Sequence, residues 1–250
     1  MYICRKNLSM TKHIPNTITL LNLLCGCFAV FFAFRGSPGF SVWLIIFAGI
    51  FDFMDGMLAR MLNAYSELGK QLDSLADVVS FGLAPSAIVF CMIEQTYIAS
   101  EPGFSWSTSI FTEKLILSSA FLIALFSALR LAKFNIDTRQ STSFIGLPTP
   151  ANAFFIISLI FWAEPGTSVI TGVQPWMYSV IAIIFSGLLV AEIPMFSLKV
   201  KSLKWKENQI RYIFLSISIL LAMFLHHKAL TFIILTYIII SITSALKTRA

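Results

Sequence analysis

The chain has 250 residues, of which 57% are hydrophobic and only 12% charged, and its mean hydropathy is +0.83. These values exclude a water-soluble globular domain and call for a chain solvated by lipid. The net charge of +6 reads as membrane topology and attraction to anionic lipid, so nucleic acid is not an expected partner.

Apolar runs long enough to cross a hydrocarbon core of about 30 Å recur along the whole chain with short connections between them. Eight are expected, near 16–34, 41–63, 69–98, 114–134, 148–163, 176–195, 210–226 and 229–246. The expected fold is an all-α polytopic membrane protein, a single membrane domain over 1–250 with no internal repeat. The charged N-terminal segment lacks a small-residue cleavage site, so the first run reads as a retained helix. In or beside the odd-numbered connections only Arg35, Lys114 and Lys228 are basic, and the other fifteen of the 18 Lys and Arg fall on the opposite side. That bias predicts cytoplasmic termini. Cys4, Cys25, Cys27 and Cys91 form no disulfide or metal pattern.

The first helix opens with "IPNTITLLNLLCG", where Pro15 suits a helix start and Asn16, Thr19 and Asn22 recur every three residues as a polar strip on an apolar helix. Two readings stand side by side for the strip: hydrogen bonds between helices, or the lining of a ligand site.

The second and third helices carry the main anomaly. Asp52, Asp55, Asp73 and Asp77 lie in one window flanked by apolar runs, and carboxylates at membrane depth are costly and mark function. The spacings of three and four place each pair on one helix face. A turn near Asn63 to Gly69 makes the two helices an antiparallel hairpin, so the four carboxylates converge. Unpaired, they would repel one another, whereas a hard divalent cation relieves that. Oxygen ligands without His or Cys favour Mg²⁺ or Mn²⁺, and four carboxylates suffice for two ions of the kind used in phosphoryl transfer. Gly56 admits close approach of a ligand, Ala59 is small, and Arg60 offers donors to a phosphate. A different class, a cation-coupled transporter with the aspartates as its ion path, stands as the rival.

Further along, "LRLAKFNIDTRQSTSFIGLPTPANA" spans 129–153. Arg130 and Lys133 lie one turn apart at a helix end, followed by Asn135 and Arg139. They serve either as topology anchors or as ligands for an acceptor carboxylate or a lipid phosphate. Beyond about 165 the chain, including the C-terminal helices from about 176, offers length and hydropathy only. Glu192, His226, His227 and the run Lys199, Lys201, Lys204 and Lys206 read as solvated groups, and Trp176, Tyr178 and Trp205 as an aromatic belt.

The pattern Asp52-x2-Asp55-Gly56-x2-Ala59-Arg60-x8-Gly69-x3-Asp73-x3-Asp77 resembles the complete signature, 52–77, of the CDP-alcohol phosphatidyltransferase family, with no position departing from it. The resemblance implies transfer of a phosphatidyl group from CDP-diacylglycerol to an alcohol with release of CMP. It implies that the four aspartates hold the metals, with Asp77 as general base and Asp73 beside it. Gly56, Ala59 and Arg60 would bind the CDP moiety, Gly69 would permit close packing, and Asn16, Thr19 and Asn22 would line the same site. The runs at 15–26 and 129–153 resemble the membrane-embedded branch whose acceptor is L-serine. That implies phosphatidylserine formation at the cytoplasmic face of a bacterial inner membrane by a homodimer of eight-helix chains, with glycerol 3-phosphate, inositol or its phosphate, and choline as rival acceptors. Arg130, Lys133, Asn135 and Arg139 are the acceptor-side candidates, and Gly26, Gly82 and Gly187 are candidates for close helix contacts.

Overall fold

The computed structural model describes residues 13–101, 103–137, 144–164, 167–196 and 205–249. Helices α1 (His13–Phe34) and α2 (Pro38–Met61) are joined by a short turn in which Gly36 takes φ +70. They pack along small and β-branched residues, Ala29 and Ala33 against Val42, Ile45 and Ala48. Ser41 Oγ donates to the Ala29 carbonyl at 2.8 Å, which ties the two backbones where lipid offers no alternative partner.

The next element is one continuous rod, Glu67–Ser100, made of α3 (Glu67–Asp77), a π-helical turn (Val78–Leu83) and α4 (Ala84–Ser100). At 34 residues it is about 50 Å long, well beyond the hydrocarbon core. The π turn has a local cause. Pro85 has no N–H to give the carbonyl four residues back, and the Ala84 N–H reaches instead to Val79 O. α4 is buried nearly all round, as a central helix must be. The small residues of the π turn admit its neighbours: Gly26 of α1 lies directly on the Ser80 backbone, and a Cβ on Gly82 would meet Ser127 Cβ at 3.0 Å. Two of the three glycines expected at close contacts therefore serve packing within the chain, whereas Gly187 faces open space.

Helices α5 (Phe111–Ser118) and α6 (Leu122–Ile136) run on through a 3-10 turn, and α7 (Thr149–Ile160) and α8 (Pro175–Val190) follow. A two-residue antiparallel ladder, Phe144–Ile145 (β1) with Pro194–Met195 (β2), closes one end. Beside it Gly146 takes φ +77 with its α-carbon against the Leu189 carbonyl, and the N–H groups of Gly146 and Leu147 donate to Ile193 O and Leu188 O. The Gly-Leu-Pro run thus fixes where α7 starts. α9 (Trp205–Leu225) and α10 (Ala229–Arg249) form a hairpin through His226–Lys228.

Among the described residues, five stretches are long and apolar enough to span a membrane: His13–Phe34, Pro38–Met61, Glu67–Ser100, Phe111–Ile136 and Asn208–Leu246, the last comprising the α9–α10 hairpin. Every expected span holds a helix, and the all-α polytopic fold is as the hydropathy predicts. The fifth differs in length. α7 has 12 residues, about 18 Å, because Trp162 and Ala163 already belong to a turn closed on Leu159 and Ile160.

Candidate active site

The hairpin that carries the aspartates is built by its own turn. α2 ends at Met61, Asn63 takes φ 48, and the Ala64 N–H closes on Ala59 O at 2.9 Å. Ser66 then caps α3, its Oγ accepting from the Gly69 N–H at 3.0 Å, which satisfies one of the free donors of a helix start. The chain reverses in five residues, so the pairs Asp52/Asp55 and Asp73/Asp77, set back from the turn on facing helices, meet. Carboxylate oxygens of Asp52, Asp55 and Asp73 all lie within 4.8 Å of one another. Asp77, one turn further along the rod and buried, completes the group, and the Asp52 carboxyl lies within hydrogen-bonding reach of both Asp73 and Asp77.

The polar strip of α1 faces this cluster. Thr19 Oγ1 donates to Asp55 Oδ2 at 2.5 Å, and Asn22 Nδ2 donates to Asp77 Oδ1 at 3.4 Å. Ser80 Oγ donates to Asn22 O, so the π turn steadies the residue that steadies Asp77. Asn16 sits beside Gly69: a Cβ there would come within 2.9 Å of Asn16 Oδ1. Of the two readings of the strip, Thr19 and Asn22 make helix–helix hydrogen bonds, and the partners in those bonds are the carboxylates themselves.

A cavity of about 640 Å³ opens over the cluster. Asn16, Thr19, Asp52, Asp55, Gly56, Ala59, Gly69 and Asp73 line it, as do Pro15, read from sequence only as a helix start, and Ala64, Tyr65, Ser66, Glu67 and Lys70, which the sequence alone did not single out. The hairpin turn was visible in sequence, and the signal missed was that a ligand above the carboxylates must also meet that turn. Arg60 is exposed, outside the cavity lining, and turned back on its own helix, Nε to Gly56 O at 2.9 Å.

The profile of the CDP-alcohol phosphatidyltransferase family matches residues 12–190, which contain every element of this site. The chain belongs to that family. Among similar curated proteins, the CDP-diacylglycerol--serine O-phosphatidyltransferase of Bacillus subtilis (strain 168) is 36% identical over 156 residues, 62% of this chain and 78% of the relative. That of Helicobacter pylori (strain J99 / ATCC 700824) is 34% identical over 145 residues, 57% of this chain and 55% of the relative. That of Saccharomyces cerevisiae is 32% identical over 170 residues, 62% of this chain and 55% of the relative. The match thus spans little more than half the length of the latter two.

For a CDP-alcohol phosphatidyltransferase the carboxylate cluster is a fit place for a divalent metal. Its donors are all oxygen, three of the carboxylates converge within ligand distance, and Arg60 and Lys70, the cations nearest in sequence, each donate to a backbone carbonyl instead. Converging carboxylates of this kind are stable only when a cation or protons are shared among them.

The acceptor-side candidates separate. Arg130 is 7% exposed and its Nη1 donates to Thr149 Oγ1 at 2.8 Å, with Asp77 and Tyr237 in its electrostatic neighbourhood. Lys133, one turn on, is exposed. Asn135 is committed to the rod that carries Asp73 and Asp77: its Nδ2 donates to Ser74 Oγ at 2.8 Å, and Lys70 Nζ donates to its backbone carbonyl at 3.3 Å. Arg139 lies outside the described residues. The run at 129–137 thus reaches the site through Arg130 from behind Asp77 and through Asn135 beside Asp73, and does not present Arg130 and Lys133 as a cationic pair.

Proposed function

We propose that this single membrane domain transfers the phosphatidyl group of CDP-diacylglycerol to the hydroxyl of L-serine, giving phosphatidylserine and CMP. The observation that carries the reading is the convergence of four aspartates, two of them hydrogen-bonded from α1, beneath a cavity whose lining includes Gly56, Ala59 and Gly69 of the family signature. The serine-specific names of the relatives support the acceptor.

In this reading Asp52, Asp55, Asp73 and Asp77 hold two Mg²⁺ or Mn²⁺ ions, which supply neutralisation of the pyrophosphate and of charge on the departing CMP. Asn16, Thr19, Gly56, Ala59 and Gly69 receive the CDP moiety, with Arg60 swinging from Gly56 O to a phosphate. Asn22 fixes Oδ1 of Asp77, leaving Oδ2 to accept the proton of the serine hydroxyl as it attacks the diacylglycerol-bearing phosphorus. The new P–O bond forms to serine and the P–O bond to CMP breaks. Arg130 binds the serine carboxylate. The charge bias of the loops supports a cytoplasmic face of the bacterial inner membrane with both termini on that side, and the family resemblance supports a homodimer.

The test is CMP release by purified protein in detergent with CDP-diacylglycerol and Mg²⁺ or Mn²⁺, across serine, glycerol 3-phosphate, inositol and choline. Serine-dependent release that Asp77→Asn abolishes is expected. Release with another alcohol only would discard serine as acceptor, and a folded, metal-replete protein silent with every alcohol but active in cation uptake would replace the enzyme by a transporter.

A further inference from the structure

Behind Asp77 the interior stays polar. α6 and α7 run in opposite directions past the π turn, joined at one level by the Arg130–Thr149 hydrogen bond. One helical turn from that bond, Ser127 on α6 and Asn152 on α7 fall at matching depth, since each is three residues from its own member of the pair. Both are 0% exposed. Among the described residues neither the Ser127 hydroxyl, nor Arg130 Nε, nor either end of the Asn152 carboxamide has a hydrogen-bond partner. A buried carboxamide with both ends unsatisfied loses its hydration for nothing in return, so such a group calls for a partner that the chain does not itself provide. Gly82, whose missing side chain lets Ser127 approach the π turn, keeps this corner within a short reach of Asp77.

Four atoms of complementary kinds are therefore left free beside the base: a guanidinium N–H, a hydroxyl, a carboxamide oxygen and a carboxamide N–H. A small zwitterionic alcohol matches them. Its carboxylate suits Arg130 Nε, its ammonium suits Asn152 Oδ1 and Ser127 Oγ, and its hydroxyl then points back toward Asp77. We propose that Asn152, assisted by Ser127, is a specificity-determining residue that binds the ammonium group of the amino-acid acceptor. The assignment rests on the acceptor reading given above. It also accounts for a carboxamide in the otherwise largely apolar run "ANAFFIISLI".

The experiment compares wild type, Asn152→Leu and Asn152→Asp in the full chain, with KM for L-serine and KM for CDP-diacylglycerol measured separately and thermal unfolding followed in parallel. Asn152→Leu should raise KM for serine at least tenfold and leave KM for CDP-diacylglycerol within twofold, and Asn152→Asp, which keeps an oxygen for the ammonium, should recover most of the serine affinity. Unchanged serine KM in Asn152→Leu overturns the proposal. So does an equal loss in the Leu and Asp variants, or a loss shared by both substrates, because a purely structural amide or one satisfied by a buried water would behave so. If Asn152→Leu does not fold, the Asp variant decides alone: a serine KM near that of wild type supports the assignment, and a tenfold rise overturns it. The acceptor reading is judged on wild type. Serine-dependent CMP release there, with flat Asn152 variants, sinks this proposal and leaves that reading standing.

Discussion

Gly56→Ala separates what a glycine does for the fold from what it does for the ligand. Gly56 lies inside α2, and a Cβ built there meets nothing nearer than Arg60 Nη2 at 4.0 Å. Packing therefore does not require glycine. Replacing it by Ala should stabilise the ligand-free protein by about 0.5–1 kcal/mol, the usual helix-interior difference between the two residues. The same methyl projects into the lining of the cavity above Asp52 and Asp55. A phosphate that packs against the bare α-carbon would be displaced by roughly 1 Å, and misplacement on that scale costs on the order of 10²-fold in rate. The assay pairs thermal unfolding without nucleotide against kcat/KM for CDP-diacylglycerol. A variant that is both less stable and less active would refute the reasoning, because its glycine would then be structural, and one with unchanged kcat/KM would show that no ligand passes over this face.

Gly26→Ala should do the reverse: its Cβ would lie 2.8 Å from Ser80 Cα, a backbone atom that cannot swing away, so unfolding should show a loss of about 1–3 kcal/mol, and a neutral result would mean α1 does not rest on the π turn. Thr19→Val removes the hydroxyl that orients Asp55, and loss of such a supporting hydrogen bond typically weakens metal affinity or activity 10–100-fold; a Mg²⁺ titration of activity should show the midpoint moving to higher metal. Chelation with EDTA should abolish CMP release and added Mg²⁺ or Mn²⁺ should restore it, while full activity in excess chelator would remove the metal from the proposed mechanism.

The aspartate pairs were legible because charge in an apolar run is rare and because spacings of three and four fix a face before any tertiary contact forms. The strip Asn16, Thr19 and Asn22 was legible as a strip, but its partners were not, since a helix period gives direction and not the identity of the neighbour. Arg130 and Lys133 show what the helix period leaves undetermined. Positions three apart share a face only to within about 60°, and long side chains widen that angle, so one found Thr149 in the interior and the other found solvent. The π turn left only Pro85 as a trace, and it re-phases the rod so that Ser80 reaches Asn22 and Gly82 reaches Ser127. Asn135 looked like a ligand because it follows two cations; instead it hydrogen-bonds Ser74, next to Asp73.

The helices beyond the family match at 12–190 had no function legible in their hydropathy, yet their contacts assign them one. Thr231 of α10 pairs with Ser158 Oγ at 2.8 Å and accepts from Trp162 Nε1 at 3.0 Å, while Lys228 lies over the Trp162 ring. These bonds hold the far end of α7. At its other end, the Tyr237 hydroxyl donates to Phe196 O beside β2, and its ring stands in the neighbourhood of Arg130. In lipid such polar contacts between helices are individually modest, about 0.6 kcal/mol on average, but they are directional, which apolar packing is not. A 12-residue helix that starts at Thr149 and carries Asn152 has too little length of its own to fix its rotation. The C-terminal hairpin contacts it at both ends, and so sets the depth and facing of Thr149 and Asn152.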